Sequence, residues 1–116
     1  MQTVSREMGE KLREKGWKKQ CNFYWTLVDG DKWEVNYIAF VGVMDLKPNG
    51  VLPAPTLAEL LEEFPEGSQF NIDYVVKPYP EVKGEWNFCR LGVATATSDN
   101  LAEAAAQVWW LGKEGR

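Results

Sequence analysis

Residues 22–40 read Asn22-Phe23-Tyr24-Trp25-Thr26-Leu27-Val28-Asp29-Gly30-Asp31-Lys32-Trp33-Glu34-Val35-Asn36-Tyr37-Ile38-Ala39-Phe40. Two β-rich runs, 22–28 and 32–40, flank a turn signal at Asp29-Gly30-Asp31. Their parity sets the register. The first run carries Phe23, Trp25 and Leu27 on its more apolar face, and the second carries Trp33, Val35, Tyr37 and Ala39. A two-residue turn pairs Val28 with Asp31 and sends these sets to opposite faces. A three-residue loop, 29–31, pairs Leu27 with Trp33 and Trp25 with Val35. One side then holds both sets, because a one-residue slip flips every side chain. The sequence therefore predicts an odd-length hairpin loop with a bulge.

Working outward, residues 4–15 have Val4, Met8 and Leu12 at helical spacing. Thr3 or Ser5 caps this helix and Gly16 ends it, with Trp17 folding back on the helix end. Gly9 weakens it, so packing has to hold it. Residues 41–55 are punctuated by Pro48, Gly50, Pro53 and Pro55 and read as a loop. Thr56-Leu57-Ala58-Glu59 is a capping box opening a helix over 57–64, with Leu57, Leu60, Leu61 and Phe64 inward. Residues 69–77 alternate strictly, placing Phe70, Ile72, Tyr74 and Val76 inward. A further strand is predicted over 85–93, with Trp86 and Phe88 on one face. Asn100-Leu101-Ala102-Glu103 is a second capping box, opening a helix over 101–112 whose alanines allow close approach to a sheet. The predicted fold is one α+β domain over 1–116, in the order α-β-β-α-β-β-α. It has one four-stranded antiparallel sheet with helices mainly on one face.

The 116 residues contain no His and six Trp. Without imidazole there is no Ser-His-Asp triad, no Cys-His pair and no His-ligated zinc. Cys21 and Cys89 lack metal-site spacing. No Gly-rich phosphate cradle occurs, and the carboxylates of 59–66 read as a solubilising face. No cofactor, metal or catalytic residue is expected, and the chain reads as a non-enzyme. Its first twenty residues are charged throughout and no apolar run approaches the roughly 20 residues of a membrane span. A cytoplasmic protein with reduced thiols is expected.

Net charge is −4. Residues 1–20 nonetheless carry six bases against three acids. This reads as a solvated helix face with i,i+4 pairs such as Glu7–Lys11 and Glu14–Lys18. Phosphate binding on a broad basic surface is disfavoured, so nucleic acid ranks below protein as a partner.

The aromatic surplus is where a binding role would lie. Trp109 and Trp110 differ by about 100° around their helix, so both cannot centre on the core. Trp110 is the one expected to face a partner. Trp86, Tyr24 and Arg90 complete the candidate partner-binding set, drawn from predicted strands. Two roles follow. One is a non-enzymatic protein-interaction module, homodimerisation included. The other is a small-ligand or oligonucleotide-binding domain using an open aromatic sheet face.

The segment Ala54-Pro55-Thr56-Leu57-Ala58-Glu59-Leu60, closed by Pro65, resembles a recurrent group of small uncharacterised proteins from bacteriophages, prophages and mobile elements. Leu12-Arg13-Glu14-Lys15-Gly16-Trp17 and the capped helix from Asn100 to Trp109-Trp110-Leu111 are similar to segments of the same group. Asn100-Leu101 stands where that group has Thr-Pro. The resemblance implies a mobile-element origin and transfers no catalytic residue.

Overall fold

The computed structural model of the chain describes residues 2–42 and 50–114. Helix α1 spans Arg6–Glu14, strands β1 and β2 span Phe23–Val28 and Lys32–Tyr37, and a short helix α2 spans Ile38–Val41. Strand β3 is Val51–Pro53 and helix α3 is Leu57–Glu62. Strands β4, β5 and β6 are Phe70–Lys77, Lys83–Arg90 and Ala94–Ser98, and helix α4 is Leu101–Glu114.

The first hairpin has the register its parity demands. Trp25 pairs with Val35, Leu27 with Trp33 and Val28 with Lys32. Asp29 and Gly30 both take positive φ, and the Asp31 amide donates to the Asp29 carbonyl. The second run stops being strand at Tyr37, where Ile38-Ala39-Phe40-Val41 coils into α2.

The single four-stranded sheet is not what forms. Among the described residues six strands make two three-stranded antiparallel sheets, ordered β2-β1-β3 and β4-β5-β6. Two strands lie in stretches expected to be irregular. β3 lies in the 41–55 connection and pairs Leu52 with Trp25. Residues 43–49 of that connection lie outside the described residues. β6 follows β5 across the turn Leu91-Gly92-Val93, which the expected 85–93 strand had absorbed. β6 is built from Ala and Thr, whose small side chains give little apolar signal.

Helix α1 lies between β3 of sheet one and helix α4. The Ser5 hydroxyl accepts from the Met8 amide as N-cap. At the far end the Gly16 amide donates to the Arg13 carbonyl and the Trp17 amide to that of Leu12. This is a Schellman motif, and it needs the positive φ of Gly16. Midway, Gly9 lies so close to β3 that an added Cβ would stand 2.6 Å from the Pro53 carbonyl oxygen. The weakest helix former in α1 is thus the residue that lets the helix touch sheet one.

Helix α4 is the centre of the core. It packs on β5, β6, α3 and α1. Ala102, Ala104, Ala105 and Ala106 are all buried, so the helix is approached from several sides at backbone range. Phe64, Phe70 and Phe88 form an aromatic cluster with centroids 5.0–5.9 Å apart. The Asn100 cap accepts from the Glu103 amide, but the reciprocal half of the expected box is absent. The Glu103 carboxylate instead accepts from the Ser5 amide and hydroxyl, at 2.8 and 2.7 Å. The box at Thr56–Glu59 is complete, and Glu59 also accepts from the Asn22 amide at 2.9 Å.

Candidate functional site

Period-two alternation gives sheet two a clean division. Its core face carries Phe88 on β5, the strand that α4 packs on, and Phe70 against Phe64 and Phe88, and it continues along β4 and β5 through Ile72, Tyr74, Val76 and Trp86. The opposite face carries Asn71, Asp73, Val75 and Lys77 of β4, facing Cys89, Asn87, Glu85 and Lys83 of β5. The Lys77 ammonium pairs with Glu85 at 3.2 Å.

What differs along the ribbon is its cover. β5 pairs with β6 only over Trp86–Arg90, while β4 and β5 pair over eight residues. Five residues of strand reach about 17 Å and eight about 27 Å. β6 therefore stops at Trp86 while the β4–β5 ribbon continues for three more pairs, and the ribbon from the Tyr74–Trp86 pair outward projects as an arm. The radius of gyration, 15.3 Å, exceeds the about 13 Å of a compact domain of this length.

On the arm the apolar face is open. Phe88 is 0% exposed, whereas Tyr74 and Val76 are each 54% exposed. The Tyr74 and Trp86 rings lie 4.8 Å apart, tilted by 56°, and the Tyr74 ring covers Gly84. At the tip Tyr79 is 86% and Val82 81% exposed. The side chains expected inward on 69–77 do share the core face. Of them only Phe70 touches the core, because no helix extends over the rest.

The four candidate residues occupy four places. Trp86 stands at the base of the arm. Arg90, four residues along the same strand and about 13 Å away, lays its guanidinium over Phe64 at 5.6 Å. It lines a small cleft of about 40 Å³ with Trp109 and Gly112. Trp110 is half-buried, with the Lys11 and Lys15 ammoniums over its ring at 5.5 and 5.1 Å. It closes one side of a groove of about 430 Å³ between α1, α4 and the free edge of β6. Tyr24 lies in the other sheet, where its hydroxyl accepts from the Cys21 amide.

The basic N-terminal stretch has local partners. Arg6 covers Trp33 at 5.6 Å and pairs with Glu7 and Glu10. Among the described residues Arg6–Glu10 is an i,i+4 pair. Lys19 bonds Glu62, and that carboxylate raises the Lys19 pKa above its ordinary value. Trp17 meets Trp109 edge-on at 5.2 Å, closing the end of α1 over the core.

Cys21 and Cys89 are free thiols. Burial pushes the Cys21 thiol up to about 11, so it is held as the poorly nucleophilic protonated form. Among the described residues no three His, Cys, Asp or Glu stand together to hold a metal ion, and no buried side-chain nitrogen or oxygen lacks a partner. No helix of the described residues is long and apolar enough to cross a membrane.

Sequence reasoning had Trp86 among its candidates but missed the arm around it. The available signal was length: a hairpin with two eight-residue strands followed by the five-residue Ala94-Thr95-Ala96-Thr97-Ser98 leaves strand without a neighbour. No protein-family model, no curated protein and no solved structure matches the chain.

Proposed function

We propose that this chain is a non-enzymatic protein-interaction module that makes contact through the outer half of the β4–β5 arm. One observation supports this above the others: the core face of sheet two runs on past its helical cover as Ile72, Tyr74, Val76 and Trp86. Contiguous apolar surface of this kind marks interaction sites in soluble proteins. Rigid strands hold it, and aromatic side chains give large contact area for little lost rotamer freedom.

The oligonucleotide reading needs cations beside the stacking platform. Lys77 and Lys83 belong to the opposite face of the ribbon, and Arg90 is engaged over Phe64. A protein partner therefore suits this face better. A role as an accessory protein of a phage or prophage, which the Ala54–Leu60 resemblance implies, is compatible with such a module.

The experiment compares wild type with Tyr74→Ser/Val76→Ser, immobilised side by side over extract from the source cells. A defined partner held by wild type and lost by the variant is the expected result. Equal capture by both, or no partner for either, overturns the reading. Single-stranded oligonucleotides added to the same pair, followed by Trp fluorescence, test the alternative.

A further inference from the structure

We infer that two copies of this chain join edge to edge through β4, giving one antiparallel sheet in the order β6-β5-β4-β4-β5-β6. This deepens the reading of the arm as the contact element and rests on it.

The free edges of the two sheets differ in how they are protected. β3 is three residues long and ends in Pro53, which has no amide hydrogen to offer. β2 is short and carries the Lys32–Glu34 pair, 3.3 Å apart. β6 has five residues and borders the groove beneath α1 and α4. β4 has eight residues with no proline and no bulge, and among the described elements it packs substantially on β5 alone. A long regular edge of this kind is a template for another strand.

The hydrogen-bond phase shows what that edge offers. The Leu91 amide donates to the Gln69 carbonyl, continuing the β4–β5 ladder by one pair. Amides and carbonyls alternate in direction along a strand. Asn71, Asp73, Val75 and Lys77 therefore turn theirs to β5. Phe70, Ile72, Tyr74 and Val76 present theirs to the free edge.

Charge then selects the register. A twofold axis normal to the sheet relates the copies, so like faces stay together. Centring on Asp73 sets Asp73 against Asp73 of the second copy. Centring on Tyr74 sets Asp73 against Val75 and Lys77 against Asn71. Centring on Val75 sets Asp73 against Lys77, and does so twice. In this register Tyr74 and Val76 exchange the ladder hydrogen bonds. Asp73 and Lys77 fall at non-hydrogen-bonded pairs, where opposing side chains stand closest. Each Lys77 then lies between Glu85 of its own chain and Asp73 of the other. The open apolar faces of the two arms become one continuous surface.

The test is oligomeric state, read by sedimentation equilibrium on the full chain, with thermal melts confirming that each variant folds. Wild type is expected to be a dimer. Asp73→Lys alone and Lys77→Asp alone each raise the dissociation constant about tenfold or more, because two symmetry-related pairs turn repulsive together. Mixing the two variants restores dimer, since opposite charges then face each other at both ends of the paired strands. Val76→Pro removes only an edge amide and is expected to be monomeric while folded. A monomeric wild type overturns the proposal, as does a dimer indifferent to the single charge changes or to Val76→Pro. Asp73 and Lys77 lie on the face opposite Tyr74 and Trp86. Partner capture by the arm's apolar face therefore remains measurable in the charge variants, and its failure is scored separately.

Discussion

The β1–β2 and β4–β5 hairpins are built on the same alternation and end in different situations. In the first, the shared face lies against α1 at Trp25 and Trp33, where the Trp25 indole donates to the Val4 carbonyl at 2.9 Å and Arg6 covers Trp33, and it opens only at its rim, where Val35 is 38% and Tyr37 47% exposed. In the second, the face is covered at Phe70 and Phe88 and bare at Tyr74 and Val76. Alternation decides which side chains share a side. Whether that side is buried depends on how far the neighbouring helix and strand extend, a property no single strand contains.

Truncating a side chain in each half of one face separates packed from bare most strongly. Phe88→Ala empties the centre of the aromatic cluster and is expected to cost about 3–5 kcal/mol of unfolding free energy. Tyr74→Ala, two pairs farther along the same face, is expected to cost about 1 kcal/mol or less. Urea denaturation of both variants measures this. Equal losses would mean that the arm is packed.

Next in size is the tie between α1 and α4. Glu103→Ala removes the acceptor of both the Ser5 amide and hydroxyl, and a loss of about 1–3 kcal/mol is expected. Ser5→Ala combined with it should cost less than the two separately, because they share one interaction. Additive losses in the double-mutant cycle would disconnect the pair.

Gly9→Ala sharpens the sheet-one side. In an open helix this change is favourable by about 1 kcal/mol. Here the new methyl meets the Pro53 carbonyl, and a net loss of about 1–2 kcal/mol is expected. Hydrogen exchange should show it in β3 first. A raised melting temperature would show that α1 does not rest on β3.

The smallest effect concerns the thiols. Cys89 should react with a disulfide reagent well before Cys21, which is 1% exposed. The folded Cys21 thiol keeps its proton up to about 11, against 9.0 for an unperturbed thiol. Between those values the unfolded chain binds fewer protons than the folded one, so stability falls as pH rises through that window. Cys21→Ala should flatten that part of the curve, and an unchanged slope would reject the assignment.

Local chemistry was legible in the residues. The Asp29–Asp31 loop, the Thr56 cap and the stop at Gly16 each depend on neighbours within a few positions. β3 was not legible, because Val51-Leu52-Pro53 is too short to show alternation and becomes a strand only beside Trp25. β6 was hidden for a related reason: Ala96 is buried by its position opposite Phe88, not by its own hydrophobicity. The division into two sheets rests on these two strands and was lost with them. Among the candidate residues, Trp86 could be placed on its face by parity. The ammoniums over Trp110 come from α1 and its C-cap Lys15, some 95 positions away, and no spacing within α4 announces them.

The Glu103 carboxylate that holds Ser5 has a consequence in time as well as in space. The two residues are 98 positions apart in the chain. A ribosome releases α1 long before it makes the acceptor that secures the start of that helix. Val4, Met8 and Leu12 therefore wait, without their α4 neighbours, until synthesis has passed residue 103. Domains dominated by such distant contacts assemble late and slowly. Helix α1 is thus made well before it can be locked, and a pause in translation before residue 103 would leave its apolar stripe open to chaperones.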